Sequence, residues 1–186
     1  MLAPDEATLS VGVQTTGSDS QAAMSANADR MQAVVSAIEA HGVPAKSIQT
    51  GQLSLWYDQE KDRYVATHML TVRLDDVTQA GAILDAAVSA GANMTWGVGF
   101  GLKDPAAGQA QALKGAVANA RAHADAIAAA LGVTVSGVQS VSTVTYSNPA
   151  PLPAAAASAP SAGATTPVQP GQLTVTADLT VVYSFS

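Results

Sequence analysis

The chain has 186 residues, of which 48% are hydrophobic and only 12% charged, and its net charge is −6. A chain of that length can bury one sizeable core, and its negative balance argues against a nucleic-acid partner, because phosphate contacts need a basic surface. Cysteine is absent, which excludes disulfides, thiolate catalysis and Cys-based zinc sites.

No apolar run reaches the ~18 residues that would suggest a membrane span. Met1-Leu2 leads directly into a polar segment and a strand, which reads as a chain trimmed of a targeting segment. The charges are unevenly placed. After Gly132, Asp178 is the sole residue of the Asp, Glu, Lys, Arg or His type. Such a third is either a buried strand pair with a bland loop or a surface that meets other subunits or the cell envelope, since charge depletion marks interface cores.

Leu9, Val11 and Val13 alternate with polar or small residues and predict a first strand. Asp19 or Ser18 can cap a helix over 20–40, with Ala23, Ala26, Asn27, Met31, Val34, Val35 and Ile38 on its inner stripe. His41-Gly42 and Pro44 stop it. A strand follows over 48–57. Its parity slips at Gly51, which predicts a bulge. The charged turn 58–63 joins it to a strand over 64–74, as a hairpin. Asp75 or Asp76 caps a second helix that ends at Ala90-Gly91.

The next strand, 93–102, contains Gly97-Val98-Gly99-Phe100-Gly101. Leu102 breaks the G-x-G-x-x-G dinucleotide fingerprint. Strict alternation would instead put Trp96, Val98 and Phe100 on one face, and a bare glycine face open to close packing on the other. A long helix then runs from Pro105 to Gly132, with Asp104 as cap, Pro105 at the first position and Gly132 as left-handed C-cap. Its stripe includes Leu113, Val117, Ala120, Ala124, Ile127, Ala128 and Leu131, and predicts a helix lying flat on a sheet, or alternatively a contact between subunits. A strand over 133–146 breaks at Ser136-Gly137. The segment 147–170 holds six of the nine prolines. It is either a tether or an arm that packs on a neighbouring subunit. Clean alternation from Leu173 to Phe185 predicts the last strand.

His41, His68 and His123 are too scattered for metal-ligand spacing, and no G-x-S-x-G surrounds any serine. The carboxylate pair Asp75-Asp76 is explained by helix capping.

The ordered pieces Val11-Gly12-Val13, Gly42-Val43, Ile48-Gln49-Thr50, Tyr64-Val65-Ala66, Ile83-Leu84-Asp85, Gly97-Val98-Gly99-Phe100, the Ala-rich helix ending Leu131-Gly132, and Val168-Gln169-Pro170-Gly171 resemble the SIMPL domain family. The group includes bacterial periplasmic and outer-membrane immunogenic proteins. Trp56-Tyr57 departs from it, since members more often carry a proline there. The resemblance implies an exported, non-enzymatic protein. Some members form ring- or channel-like oligomers, some bacterial ones are linked to stress protection, and animal ones to kinase signalling. No catalytic motif transfers.

The expected fold is α+β: a ferredoxin-like β-α-β-β-α-β core extended by a long helix and two strands, with helices layered on a mainly antiparallel sheet. Residues 5–186 are expected to form one domain, with a Pro/Ala-rich loop at 147–170. The expected function is a non-enzymatic, stress-related envelope module that self-associates through sheet edges and its charge-poor last third. Leu152, Val168, Leu173 and Val175 are the interaction residues, and the partners are further copies or an envelope protein. No catalytic residue, cofactor, metal or nucleic-acid partner is expected. The expected location is periplasmic or otherwise extracytoplasmic, including membrane anchorage through a removed N-terminal segment. The alternative is a monomeric domain that binds a small apolar ligand or peptide between sheet and helices.

Overall fold

A computed structural model of the protein describes residues 2–146, 150–151 and 166–186. These fall into two compact units, and the fold class is α+β.

One unit comprises Pro4–Gly101 with residues 166–170. Its elements are β1 (Glu6–Gly17), α1 (Ser20–Ala40), β2 (Ile48–Asp58), β3 (Arg63–Leu74), α2 (Ala80–Ser89) and β4 (Met94–Gly101). The sheet order is β2-β3-β1-β4 and every neighbouring pair is antiparallel. This is the split βαβ arrangement of the ferredoxin-like fold. Alternation decides the faces. Leu9, Val11 and Val13 of β1 lie opposite Val72, Leu70 and His68 of β3, and the apolar members of that set join Met31, Val34, Ile38 and Ile83 in one core. The predicted bulge is at Gly51, where the β2–β3 register shifts between Thr50 and Gln52.

The caps also follow the sequence. Asp19 accepts from the Ala22 N–H at 2.7 Å, and Asp76 accepts from the Thr78 N–H at 2.9 Å, opening a 3-10 turn ahead of α2. Buried Asn27 donates Nδ2 to Val13 O at 2.9 Å and to Ala66 O at 3.2 Å, tying α1 to β1 and β3. Residues 166–168 form a strap on α2. Thr166 donates its N–H to Asp85 Oδ2 at 2.9 Å and its hydroxyl to Oδ1 at 2.5 Å. A side chain at Gly81 would run into Thr166 O, so this glycine is what lets the strap close down.

The strand β4 departs from strict alternation. Its register against β1 shifts between Ser10 and Val11, so Trp96 is an extra residue and Gly97 takes φ +103°. Val98 and Phe100 do pack on the core. The glycines, however, are not closely approached among the described residues. Nothing stands within 4 Å of a Cβ built at Gly97, and the nearest atom to one at Gly99 is Thr8 O at 3.8 Å. The glycines serve the bulge and the strand pairing rather than a tight helix contact.

The other unit contains α3 (Ala106–Leu131), β5 (Val135–Tyr146), β6 (Ala150–Pro151), β7 (Leu173–Thr174) and β8 (Ala177–Phe185), with residues 2–3. Asp104 accepts from the Ala106 N–H at 2.8 Å, and Gly132 closes α3 in the left-handed region at φ +71°. Strands β5 and β8 pair antiparallel as a sheet of their own, and α3 packs on it. The alternation from 173 to 185 does not make one strand. It is interrupted after Thr174, because β7 pairs with β6 while Leu173 bridges to Leu2 through reciprocal backbone bonds of 2.9 and 2.8 Å.

Candidate functional site

The β5–β8 sheet is the least finished surface among the described residues. Its register pairs Val138 with Tyr183 and Val141 with Val181, so these four share a face. Leu179, Val181 and Tyr183 line a shallow depression with Ala120, His123 and Ile127 of α3, which makes it the helix-bearing face. The helix covers only part of it. Ala124 and Ala128 are buried, whereas Ile127 is half exposed and Leu131 is 68% exposed. On β5, Val138 and Val141 are left 55% and 58% exposed. An apolar strip therefore runs from the end of α3 across β5, without an Asp, Glu, Lys, Arg or His on β5 and with only Asp178 of those types on β8. Exposed apolar groups in a contiguous patch mark interaction surfaces.

The edges of this sheet matter too, since each strand has one partner among the described residues. Strand β5 is interrupted by three register shifts, while the shifts leave β8 continuous.

The predicted interaction residues are placed as follows. Leu152 lies outside the described residues. Val168 is half-buried against the core of the ferredoxin-like unit. Leu173 is 0% exposed, and its side chain has no surface to offer a second molecule. Val175 is half-buried, and a Cβ at Gly108 would stand 3.3 Å from its Cγ2. Leu173 is thus spent on internal packing and Val168 and Val175 partly so, while Ile127, Leu131, Val138 and Val141 stand exposed. Helical periodicity places Ile127 and Leu131 on the stripe expected to meet a sheet or another subunit. The signal that points to this region is the loss of charge after Gly132.

A second concavity lies in the ferredoxin-like unit, between α1 and the β2–β3 hairpin. This groove of about 420 Å³ is lined chiefly by Met24, Met31, Val35, Ile48, Leu53 and Leu70. Asn27 and His68 also line it. Asn27 Oδ1 is buried with no hydrogen-bond partner among the described residues. His68 Nε2 is 3.2 Å from Thr50 Oγ1, and partial burial lowers the imidazole's pKa below its usual value. His123 lies in the other unit's depression, and His41 closes α1 through its backbone N–H. Among the described residues no three His, Asp or Glu side chains gather to hold a metal ion.

A family model matches residues 1–183, almost the whole chain, under the description "SIMPL: Protein of unknown function (DUF541)". The chain belongs to the SIMPL family. Curated relatives include the 26 kDa periplasmic immunogenic proteins of Brucella melitensis and Brucella abortus. Each is 30% identical over 154 residues, covering 76% of this chain. The match spans 62% of each Brucella protein, so it is shorter than two thirds of those relatives. The uncharacterized protein YggE of Edwardsiella ictaluri is 29% identical over 175 residues, 89% of this chain and 73% of the relative. No described helix is long and apolar enough to cross a membrane.

Proposed function

We propose that this protein is an extracytoplasmic, periplasmic module of the cell envelope that works by self-association rather than by catalysis. The observation that carries the reading is the half-covered β5–β8 sheet, with Val138, Val141, Ile127 and Leu131 exposed on its helix-bearing side. A second copy suits this surface on electrostatic grounds. Copies of a chain with net charge −6 repel through charged faces, and this face has almost none. Self-association covers the apolar strip and can pair the β8 edge that has no partner among the described residues, a ready mode of association. The periplasmic names of the Brucella relatives support the location. Anchorage through a segment ahead of residue 1, and a role in stress protection, complete the proposal.

Light scattering over micromolar concentrations tests the assembly. The expected mass is a multiple of the 18.6 kDa chain, and Val141→Asp lowers it toward one copy without changing the circular dichroism. A monomer throughout that range overturns the reading. Peroxide survival of a strain lacking the protein tests the stress role. A second reading rests on the α1–β2 groove, whose volume falls in the ~300–1,000 Å³ range of small-ligand sites. Ligand-dependent thermal stabilisation at constant monomeric mass favours it.

A further inference from the structure

The outer face of the four-stranded sheet, opposite α1 and α2, carries both tryptophans of the chain. Trp56 pairs with Val65 in the same parity as Gln52 with Met69 and Ser54 with Thr67, which is the parity facing away from the core. The β4 bulge brings Trp96 to that same side. It lines a depression of about 180 Å³ with Ser10, Gln52, Met69 and Thr71, and is 76% exposed. Unbulged alternation would have sent this indole to the core.

The face between the two indoles is hydroxyl- and amide-bearing and almost free of charge. By alternation its outward charges sit at the ends: the Asp58–Arg63 ion pair (3.7 Å) at one, Glu6 and Arg73 at the other. Counting registers, Trp56 and Trp96 lie about six residues apart along the strands and three strands apart across them, roughly 23 Å on standard sheet spacings.

We propose that this face binds a neutral chain of β-linked, N-acetylated pyranose rings, the glycan of a cell wall. A pyranose presents an apolar C–H face that stacks on an exposed indole, while its equatorial hydroxyl and acetamido groups meet Ser10, Thr71 and Gln52. Exposed indoles and neutral hydrogen-bonding groups suit such a ligand. The lack of charge disfavours nucleic acids and anionic surfaces, and the scarcity of aliphatic side chains disfavours a second copy. The choice of a cell-wall source rests on the extracytoplasmic reading above, whereas binding of the sugar does not.

The test is titration of the intact protein with chitotetraose, followed by tryptophan fluorescence. The expected result is a saturable change with Kd of about 1 mM. Trp96→Ala weakens it about tenfold and Trp96→Phe only slightly, with circular dichroism unchanged. Cellotetraose, which lacks the acetamido groups, binds more weakly. No saturable change up to ~10 mM, or a Trp96→Ala protein that binds as well as the parent, overturns the proposal. Equal affinity for cellotetraose removes the N-acetyl assignment. None of these outcomes bears on the mass measured by light scattering, so the two proposals fail separately.

Discussion

Replacing Asn27 by Asp asks what holds α1 on the sheet. Asn27 is 1% exposed, and its Nδ2 bonds the carbonyls of Val13 and Ala66. A carboxylate has no donor, so both bonds are lost at neutral pH, each worth ~1 kcal/mol net. The charge also faces two carbonyl oxygens at a position that is almost fully buried, which raises its pKa. A rise from ~4 to ~7 corresponds to about 4 kcal/mol at 1.36 kcal/mol per unit. Below about pH 4 the acid is neutral and can donate one bond, leaving a loss of ~1 kcal/mol. The sign follows from proton counts. The folded state binds more protons than the unfolded one, so stability falls as pH rises between those values, by at most ~1.4 kcal/mol per pH unit. Asn27→Ala provides the reference, since it loses the same two bonds without a charge and its cost is flat with pH. Urea unfolding followed by tryptophan fluorescence reads the relevant unit, because Trp56 and Trp96 both lie within Pro4–Gly101. If Asn27→Asp and Asn27→Ala show the same loss at pH 4.5 and pH 7.5, the burial and bonding assigned to this amide are wrong.

Other predictions concern the strap, a histidine and a glycine. Asp85→Ala frees residues 166–168 from α2, so the Thr166 amide exchanges hydrogen faster while the tryptophan-monitored unfolding midpoint barely moves. The bonds from Thr166 hold the Asp85 carboxyl below its usual pKa. In the parent protein the strap is therefore intact above the ordinary carboxylate range and loosens as pH falls below it, an effect that exchange measured at acid pH would show. Burial lowers the pKa of His68, so the unfolded state takes up its proton first and stability declines as pH falls below about 6.5. His68→Gln flattens that part of the stability–pH curve. Finally, a Cβ at Gly12 would run into Met69 Sδ and stand 2.7 Å from His68 O. Gly12→Val should cost about 1–3 kcal/mol by urea unfolding, and a neutral result would mean the centre of the sheet is looser than its geometry.

Much of the fold is legible because its signals are local. Caps at Asp19 and Asp76, the parity slip at Gly51 and the C-cap at Gly132 are each written within a few residues. The alternation of β1 and β3 then fixes which face is core. What the sequence hides is set by partners far along the chain. The Trp96 bulge depends on the β1 register at Ser10 and Val11, and nothing between Asn93 and Leu102 breaks the alternation. Leu173 and Val175 look like the start of a long strand until Leu2 and residues 150–151 claim Leu173 and Thr174. The stripe of α3 is regular, but periodicity cannot say how wide a sheet lies beneath it. With two strands there among the described residues, Ile127 and Leu131 overhang.

That narrow sheet also decides which edge a second copy can use. The outer edge of β2 carries the Gly51 bulge, and that of β4 the Trp96 bulge. Bulges of this kind turn an edge away from regular pairing. Strand β5 has three register shifts and offers no long straight run. Strand β8 keeps nine consecutive residues in extended form, with no proline or lysine to guard it. If two copies paired antiparallel about Val181, Asp178 of each would lie opposite Ser184 of the other, so the one charge on the strand would not meet its own copy. The four strands so joined would continue one sheet across both molecules, bringing Val141 and Val138 of each to the flanks of the same apolar surface. The unguarded edge and the uncovered face thus favour the same partner, a second β8.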